Sequence, residues 1–472
     1  MARRKKNQED RRSDVVGTVG VCETVKTCYW TYGISVNTNR ALPSIYDGLK
    51  PVQRRLLLAL NRMPSGLHNA TSVVGNTINY YHARGSSGVE GAIGTMINKY
   101  KPLLSGKGNF GRYRSLSGSQ PGAAMRYVKV GASPLFESMY GQSIQYAPTF
   151  LNENDYQESE YLPTMIPYCL ICGADGIGVG CATKIPHCNT QDLLNVAKLI
   201  LQGKDKKAQS YKVRPIPDGG IGNLEITDEQ LEKFNSLGEC QVKVSADIEQ
   251  VWDEEEGRTA YVITNFPENV NPAKILISLR TELDEKLVYI RDESDKTLRI
   301  VVGREKRIKR ITDEELFHKL QRCTSVKCSY RNYVVIGDVA KVATPYEMIK
   351  ASCEKLIEAE KLSLEAQLVK VTNQIIFELY KQDVAKQLMS DEKKSKPEDI
   401  LWRIHQEREG AKEELTIDHV KFILGKSISM LKSSPKDVNN LYKEQSNLHK
   451  WIANPHKYYL DHKYSAIAST LI

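Results

Sequence analysis

A chain of 472 residues has room for two to four domains with cores of their own, and its apolar (41%) and charged (26%) fractions are those of an ordinary folded protein. No apolar run is long enough to span a membrane, and ten cysteines scattered without a framework argue against a disulfide-stapled secreted domain and fit a reducing cytoplasm. The net charge of +9 is unevenly spread: the N-terminal third is strongly basic, and acid gathers later, in DEEEG (253–257) and DESD (292–295).

The opening MARRKKNQEDRRS is basic with no apolar stretch behind it, so residues 1–20 read as a disordered tail, solvated or touching DNA or a partner, and not as a secretory signal. TVGVCETVKTCYWTYGISVNTNRALP (18–43) reads as a helix ending near Asn39, with Pro43 just beyond. PVQRRLLLALNRM (51–63) is a helix with Pro51 in its first turn and an apolar face of Leu56, Leu57, Leu60 and Met63. Arg54 and Arg55 stand near its N-terminus, the unfavourable end of the helix dipole for a cation, where a bound phosphate would offset the cost. SSGVEGAIGTMINKY (86–100) is a further short helix, followed by Gly-rich loops and short extended pieces to about residue 150. Helices followed by a small β wing on a basic surface read as a winged-helix DNA-binding unit.

That surface is unusual for what it lacks. From Gly48 to Phe136 the only acidic residue is Glu90, where the chain average would give about eleven. The same window holds Lys50, Arg54, Arg55, Arg62, Arg84, Lys99, Lys101, Lys107, Arg112, Arg114, Arg126 and Lys129. A polyphosphate needs a basic surface emptied of carboxylates, because each acid left in place repels it. Within the window, GAAMRYVKV (122–130) sets Arg126 beside Tyr127. GKGNFG (106–111) fits G-x-G-x-x-G but lacks a following helix and a well-placed acid, so a dinucleotide site is set aside. Cys169-x-x-Cys172 with His187 and Cys188 loosely fits a zinc spacing, but the run is apolar and broken by glycines, and buried cysteine behaves as a small hydrophobe.

From about 155 to 340 short strands such as CQVKVSADI, TAYVITNFP and TLRIVVGRE alternate with turns and with helices such as NPAKILISLRTELDEK. From Pro345 the chain turns helical. Apolar residues recur at heptad-like spacing (Ile349, Cys353, Leu356, Leu364, Leu368, Val371, Ile375), and a matching set follows near the C-terminus (Val438, Leu441, Leu448, Trp451, Ile452). Between them ELTIDHVKFILGKSISML is a compact apolar helix, which gives two antiparallel arms joined by a small tip suited to a dimer contact. The expected fold is α+β and multidomain: a tail (1–20), a winged-helix domain (21–155), a mixed tower domain (156–342), and coiled-coil arms with a helical dimer gate (343–472).

The blocks NRALPSIYDGLKPVQRRLL, GKGNFG, AAMRY, LPTMIPYCLICGADGIGVGCATKIP, RDESDK and LTIDHVKFIL follow one another in an order that resembles the breakage-reunion subunit of type IIA DNA topoisomerases. The likeness is to the A subunit of gyrase or topoisomerase IV and to the medium subunit of T-even phage topoisomerase, and it runs from about residue 20 to 455. It implies that Tyr127 is the nucleophile, attacking a DNA phosphodiester to form a phosphotyrosyl ester that stores the energy of the broken backbone. Free phenols ionise only near pH 10, so cations that favour phenolate and offset phosphoryl charge are needed. Arg126 is the first, and Arg40, Arg55 and His82 match other catalytic positions. In a regular strand Arg126 and Tyr127 would point to opposite faces, so a loop geometry is required for both to reach one phosphate. Lys50, Arg54, Arg84, Ser87 and Lys107 match DNA-holding positions, and Ile177 matches a wedge that bends the duplex.

Two departures stand out: the loop between Gly111 and Tyr127 is longer than in gyrase-like relatives, and HARGSSGVEG (82–91) keeps His82 while Arg84 replaces a second histidine and Ser86 an acid. No metal constellation and no phosphate-binding loop of the G-x-x-x-x-G-K-[ST] kind is found, so Mg²⁺ and ATP are expected on a separate ATPase/TOPRIM subunit, joined to a homodimer of this chain in a heterotetramer. The β-pinwheel domain of gyrase is expected to be missing, so relaxation or decatenation is expected rather than supercoiling. A tyrosine recombinase would place its tyrosine near the C-terminus after an Arg-His-Arg set. A non-catalytic winged-helix architectural DNA binder explains the basic window but not AAMRY.

Overall fold

In the computed structural model, which describes residues 20–81, 85–111, 121–217, 222–266, 275, 277, 281, 288–294, 298–305, 312–390, 396–407, 415–426, 430–431 and 438–472, helices combine with several small antiparallel sheets in an α+β arrangement. Helix α1 (Val21–Val36) runs into a π-helical turn, Asn37–Ala41, one residue pair beyond the expected end. Helix α2 (Pro51–Arg62) starts where proline has no N–H to lose, and Gln53 Oε1 accepts the Lys50 N–H at 3.0 Å. Its predicted face is buried at Leu56, Leu57 and Leu60, with Met63 packed at the edge; full burial of each leucine is worth about 1.5–3 kcal/mol.

Strand β1 (His68–Asn69) leads into helix α3 (Ala70–Tyr80), which no pattern in the sequence had marked. Its β-branched residues and glycine are weak helix formers. The Asn69 cap, whose side chain accepts the Thr71 N–H at 2.9 Å, and burial of Val73, Val74 and Thr77 override that tendency. Helix α4 (Ser86–Ile97) completes a three-helix group whose core takes in Val89, Ile93 and Met96. Strands β2 (Leu104–Lys107) and β3 (Lys129–Ala132) join β1 in a sheet of order β1-β3-β2, with Lys129 opposite both Asn69 and Lys107.

Five strands form the next sheet, in the order Asn223–Glu225, Glu239–Ser245, Val326–Arg331, Ala182–Ile185, Ala174–Ile177. A separate four-stranded sheet orders Asp247–Asp253, Arg258–Asn265, Ile300–Arg304, Val288–Asp292 and buries Tyr261, Ile263 and Val302 against the helix Asp313–Thr324. The helix expected over 271–286 lies largely outside the described residues.

A helix of 46 residues, Pro345–Ser390, begins in the main core with Ile349, Cys353 and Leu356. Further along, Leu364, Val371 and Ile375 are buried together with Leu448, and Leu368, Leu441, Trp451 and Ile452 pack at the margin. Gln445 bonds Thr372 at 3.1 Å and Lys463 pairs with Glu360, so the helix Asn439–Ala453 runs back along the first. The last helices, Pro455–His462 and Tyr464–Leu471, leave the arm and return to the main core, where Tyr464 Oη donates to the Leu194 carbonyl at 3.2 Å.

At the far end Val420 and Ile423 pack inward on Ile376, Tyr380, Ile400 and Leu415, while Phe422 on the same helix is 40% exposed. A charge at Ile423 would therefore break the tip's own core, whereas Phe422 faces outward. No helix among the described residues is long and apolar enough to cross a membrane. Cys169, Cys172 and Cys188 are core residues, and burial raises the Cys169 and Cys188 thiols above their ordinary range.

Candidate functional site

Tyr127 closes a short 3₁₀ turn, Met125–Tyr127, immediately before β3. The turn forms because the chain must pivot from the GKGNFG loop into the strand: Ala123 N–H donates to the Asn109 carbonyl at 2.8 Å, and Tyr127 N–H donates to the Ala124 carbonyl at 2.9 Å. GKGNFG is thus a structural loop beside the tyrosine. With three residues per turn, neighbours project about 120° apart, not on opposite faces as in a strand. Arg126 therefore lies over its neighbour, its Cζ 4.7 Å from the Tyr127 ring centroid, and Tyr127 is 70% exposed. The start of α3 fixes the turn from below. Asn69 Nδ2 donates to the Arg126 carbonyl at 3.3 Å and Ala70 N–H to the Val128 carbonyl at 3.0 Å. The positive end of α3 thereby supports the turn, an arrangement that favours negative charge.

Next to the turn, Lys129 and Lys107 are exposed and directly opposite each other across β3 and β2. Like charges in register destabilise a sheet, a cost that a bound anion would offset. Lys129 and Asn69 were not singled out from the sequence; the signal for Lys129 was its membership in the acid-free window.

A second group forms around Ile177. The hairpin of Ala174–Ile177 and Ala182–Ile185 presents Ile177 at its tip, 88% exposed. Ile177, Arg40 and Lys50 line one cleft of about 410 Å³ with Tyr32, Val36 and Val179. Two glycines of GADGIGVG are required by close approach: a Cβ on Gly176 would lie 2.0 Å from the Ala41 carbonyl oxygen, and one on Gly178 would lie 2.2 Å from Asn37 Oδ1. Lys50 Nζ donates to the Asp175 carbonyl. Burial, with the Lys99 cation nearby, lowers the Lys50 pKa from its ordinary value against an opposing pull from Asp175.

Arg54 does not belong with the DNA-facing residues. It is buried, and its guanidinium grips Asp47 through Nε to Oδ2 at 2.7 Å and Nη2 to Oδ1 at 3.1 Å. Arg55, next to it, pairs with the buried Glu158 at 2.7 Å and is itself largely covered. Protein carboxylates, not a phosphate, offset the two cations near the N-terminus of α2. Arg62 lies over the rings of Tyr80 and Tyr81 at 5.0 and 5.3 Å. Ser87 is exposed in the first turn of α4, and His82 and Arg84 lie outside the described residues.

Residues 40–469 match the family model for the A subunit of DNA gyrase/topoisomerase IV, and the chain belongs to that family. It is 30% identical over 336 residues to the DNA gyrase A subunit of Chlamydia pneumoniae (68% of this chain, 39% of the relative). It is 32% identical over 329 residues to the chloroplastic/mitochondrial gyrase A subunit of Nicotiana benthamiana (64% and 33%), and 31% over 299 residues to that of Escherichia coli K12 (60% and 34%). The aligned part spans less than half the length of these relatives.

Proposed function

We propose that the chain is the DNA-cleaving and rejoining subunit of an ATP-dependent type II DNA topoisomerase. The observation that carries this reading is the exposed Tyr127 beneath the Arg126 guanidinium, within a stretch of the chain, Gly48 to Phe136, whose only acid is Glu90. In this reading Tyr127 Oη attacks phosphorus, the bond from phosphorus to the departing deoxyribose oxygen breaks, and that oxygen takes up a proton. The phenol's proton leaves to water or a nearby base. Resealing is the reverse, with the deoxyribose hydroxyl attacking and Tyr127 departing, so no fuel enters the chemistry. Arg126 offsets charge on the phosphoryl oxygens, Arg40 and His82 complete the reacting region, and Arg55, held by Glu158, orients it.

Lys50, Lys107, Lys129, Arg84 and Ser87 hold the backbone, and Ile177 wedges a base step open. Among the described residues no group of three or more His, Cys, Asp or Glu is arranged to hold a metal ion. In this reading Mg²⁺ and ATP belong to a separate ATPase/TOPRIM subunit, as membership in the gyrase A family supports, and no step above runs through them. The helices α2–α4 with the β1-β3-β2 sheet support a winged-helix unit within 21–155, followed by a tower (156–342) and coiled-coil arms (343–472).

Plasmid relaxation by the chain mixed with such a partner, ATP and Mg²⁺ tests the reading; an inactive mixture that also traps no covalent adduct would sink it and favour a non-catalytic DNA binder. Two further results are expected. Replacing Lys107 and Lys129 together by alanine should make the slope of log affinity against log salt shallower by about 1.8, roughly 0.9 per lost phosphate contact, which a titration across salt concentrations reads. Phe422→Glu should shift the sedimenting species from dimer toward monomer while the melting temperature holds, since the side chain faces out from the tip.

A further inference from the structure

Ile177 is a large apolar side chain at the end of a hairpin with almost nothing covering it. A wedge must hold its position against the stacking it disrupts. The hairpin's own bonds, such as Gly178 N–H to the Cys181 carbonyl at 2.9 Å, shape the tip but do not fix it on the molecule. Lower down, Lys50 holds the hairpin at the Asp175 carbonyl; at the tip itself the fixing contact comes from Asn37. Its Nδ2 donates to the Val179 carbonyl at 3.0 Å, and its Oδ1 accepts the Val179 N–H at 2.8 Å, across 142 residues of sequence. The side-chain amide stands in for a peptide group of a neighbouring strand and satisfies both polar groups of one residue at the tip. Val179 in turn sits on Gly33, where an added Cβ would approach its Cγ1 to 3.3 Å. Asn37 also opens the π-helical turn that carries Arg40 and closes the helix at Ala41; single π-helical turns are frequent at functional sites.

We propose that Asn37 is a positioning residue that locks the Ile177 wedge to the Arg40 turn, so that duplex bending and the approach of Arg40 to the backbone occur in one register. The proposal rests on the reading of Ile177 as a wedge, and its test separates the two. Neither Asn37 nor Val179 need touch DNA. A side chain that only shaped the fold would be interchangeable with other stabilising contacts; one that sets the register acts through Ile177 and nothing else.

The experiment uses the full chain as wild type, Asn37→Ala, Ile177→Ala and the double variant. Without DNA, hydrogen exchange of the peptide covering 177–181 is expected to accelerate at least about tenfold in Asn37→Ala, with the melting temperature held within a few degrees. With the ATPase/TOPRIM partner and a short duplex carrying a dye at each end, energy transfer reports bending. Asn37→Ala and Ile177→Ala should each lower the bent fraction, and the double variant should fall no further than Ile177→Ala alone, the non-additivity of residues acting as a unit. Unchanged exchange in Asn37→Ala overturns the clamp. Faster exchange with normal bending, where Ile177→Ala bends poorly, overturns the positioning role and leaves the wedge. Normal bending in both single variants overturns the wedge and the proposal with it, while leaving cleavage by Tyr127 to its own test. Additive losses in the double variant show Asn37 acting apart from Ile177 and overturn the coupling.

Discussion

Tyr127→Phe is expected to bind duplex DNA within about twofold of wild type and to form no covalent protein–DNA adduct, with strand cleavage down by on the order of 10⁶-fold, the loss typical of removing a nucleophile. The substitution keeps the ring under the Arg126 guanidinium at the same place, so the cation–ring contact and the turn survive. The turn itself is held by backbone and Asn69 bonds that do not involve the phenol oxygen. What is removed is the atom proposed to attack phosphorus. Binding, which the proposed reading assigns to Lys50, Lys107 and Lys129, should keep its salt dependence. Detergent trapping of adducts on labelled DNA, with Mg²⁺ and the ATPase/TOPRIM partner present, checks the outcome. Wild-type adduct levels in Tyr127→Phe would move the nucleophile elsewhere.

Arg54→Ala is expected to destabilise the domain by about 3–5 kcal/mol, the range for breaking a buried ion pair by removing one partner. The Asp47 carboxylate is fully buried and accepts four hydrogen bonds: two from Arg54, one from the Leu49 N–H at 2.9 Å and one from the Leu162 N–H at 3.0 Å. Without Arg54 the two N–H groups remain, but a buried negative charge stands without its counter-ion. The carboxylate also braces the start of α2 against the segment entering at Leu162. Urea denaturation measures the loss, and DNA titrations give the second readout. A phosphate contact at Arg54 would reduce the salt slope and spare stability; the ion pair predicts the reverse. A stable Arg54→Ala protein with a shallower slope would restore Arg54 to the DNA face. Replacing both Asp47 and Arg54 by apolar residues of similar volume should recover much of the stability lost in the single variant.

Much was legible before any coordinates. The missing acids between Gly48 and Phe136 announced a surface for a polyanion, because composition over a window needs no knowledge of packing. Pro51 and the leucine stripe placed α2 almost to the residue, since capping and periodicity are local rules. AAMRY and its companion blocks identified the family that the comparison then matched over residues 40–469.

Tertiary structure decided which of the many cations are available. Arg54 and Arg55 are adjacent and chemically alike, yet their carboxylate partners sit 7 and 103 residues away and outside the acid-free window, where no local count could find them. The 3₁₀ turn that brings Arg126 over Tyr127 is held by the start of α3, a helix with weak intrinsic propensity that its Asn69 cap and burial stabilise. Phe422 faces out and Ile423 in because the tip's core lies on one side of a short helix, although the two residues are equally apolar. Asn37 reads as an ordinary polar residue near a helix end until the fold delivers Val179 to its amide. Composition, periodicity and caps act within a few residues and are written along the chain, whereas ion pairing, burial and side-chain docking depend on distances that exist only once the chain has closed on itself.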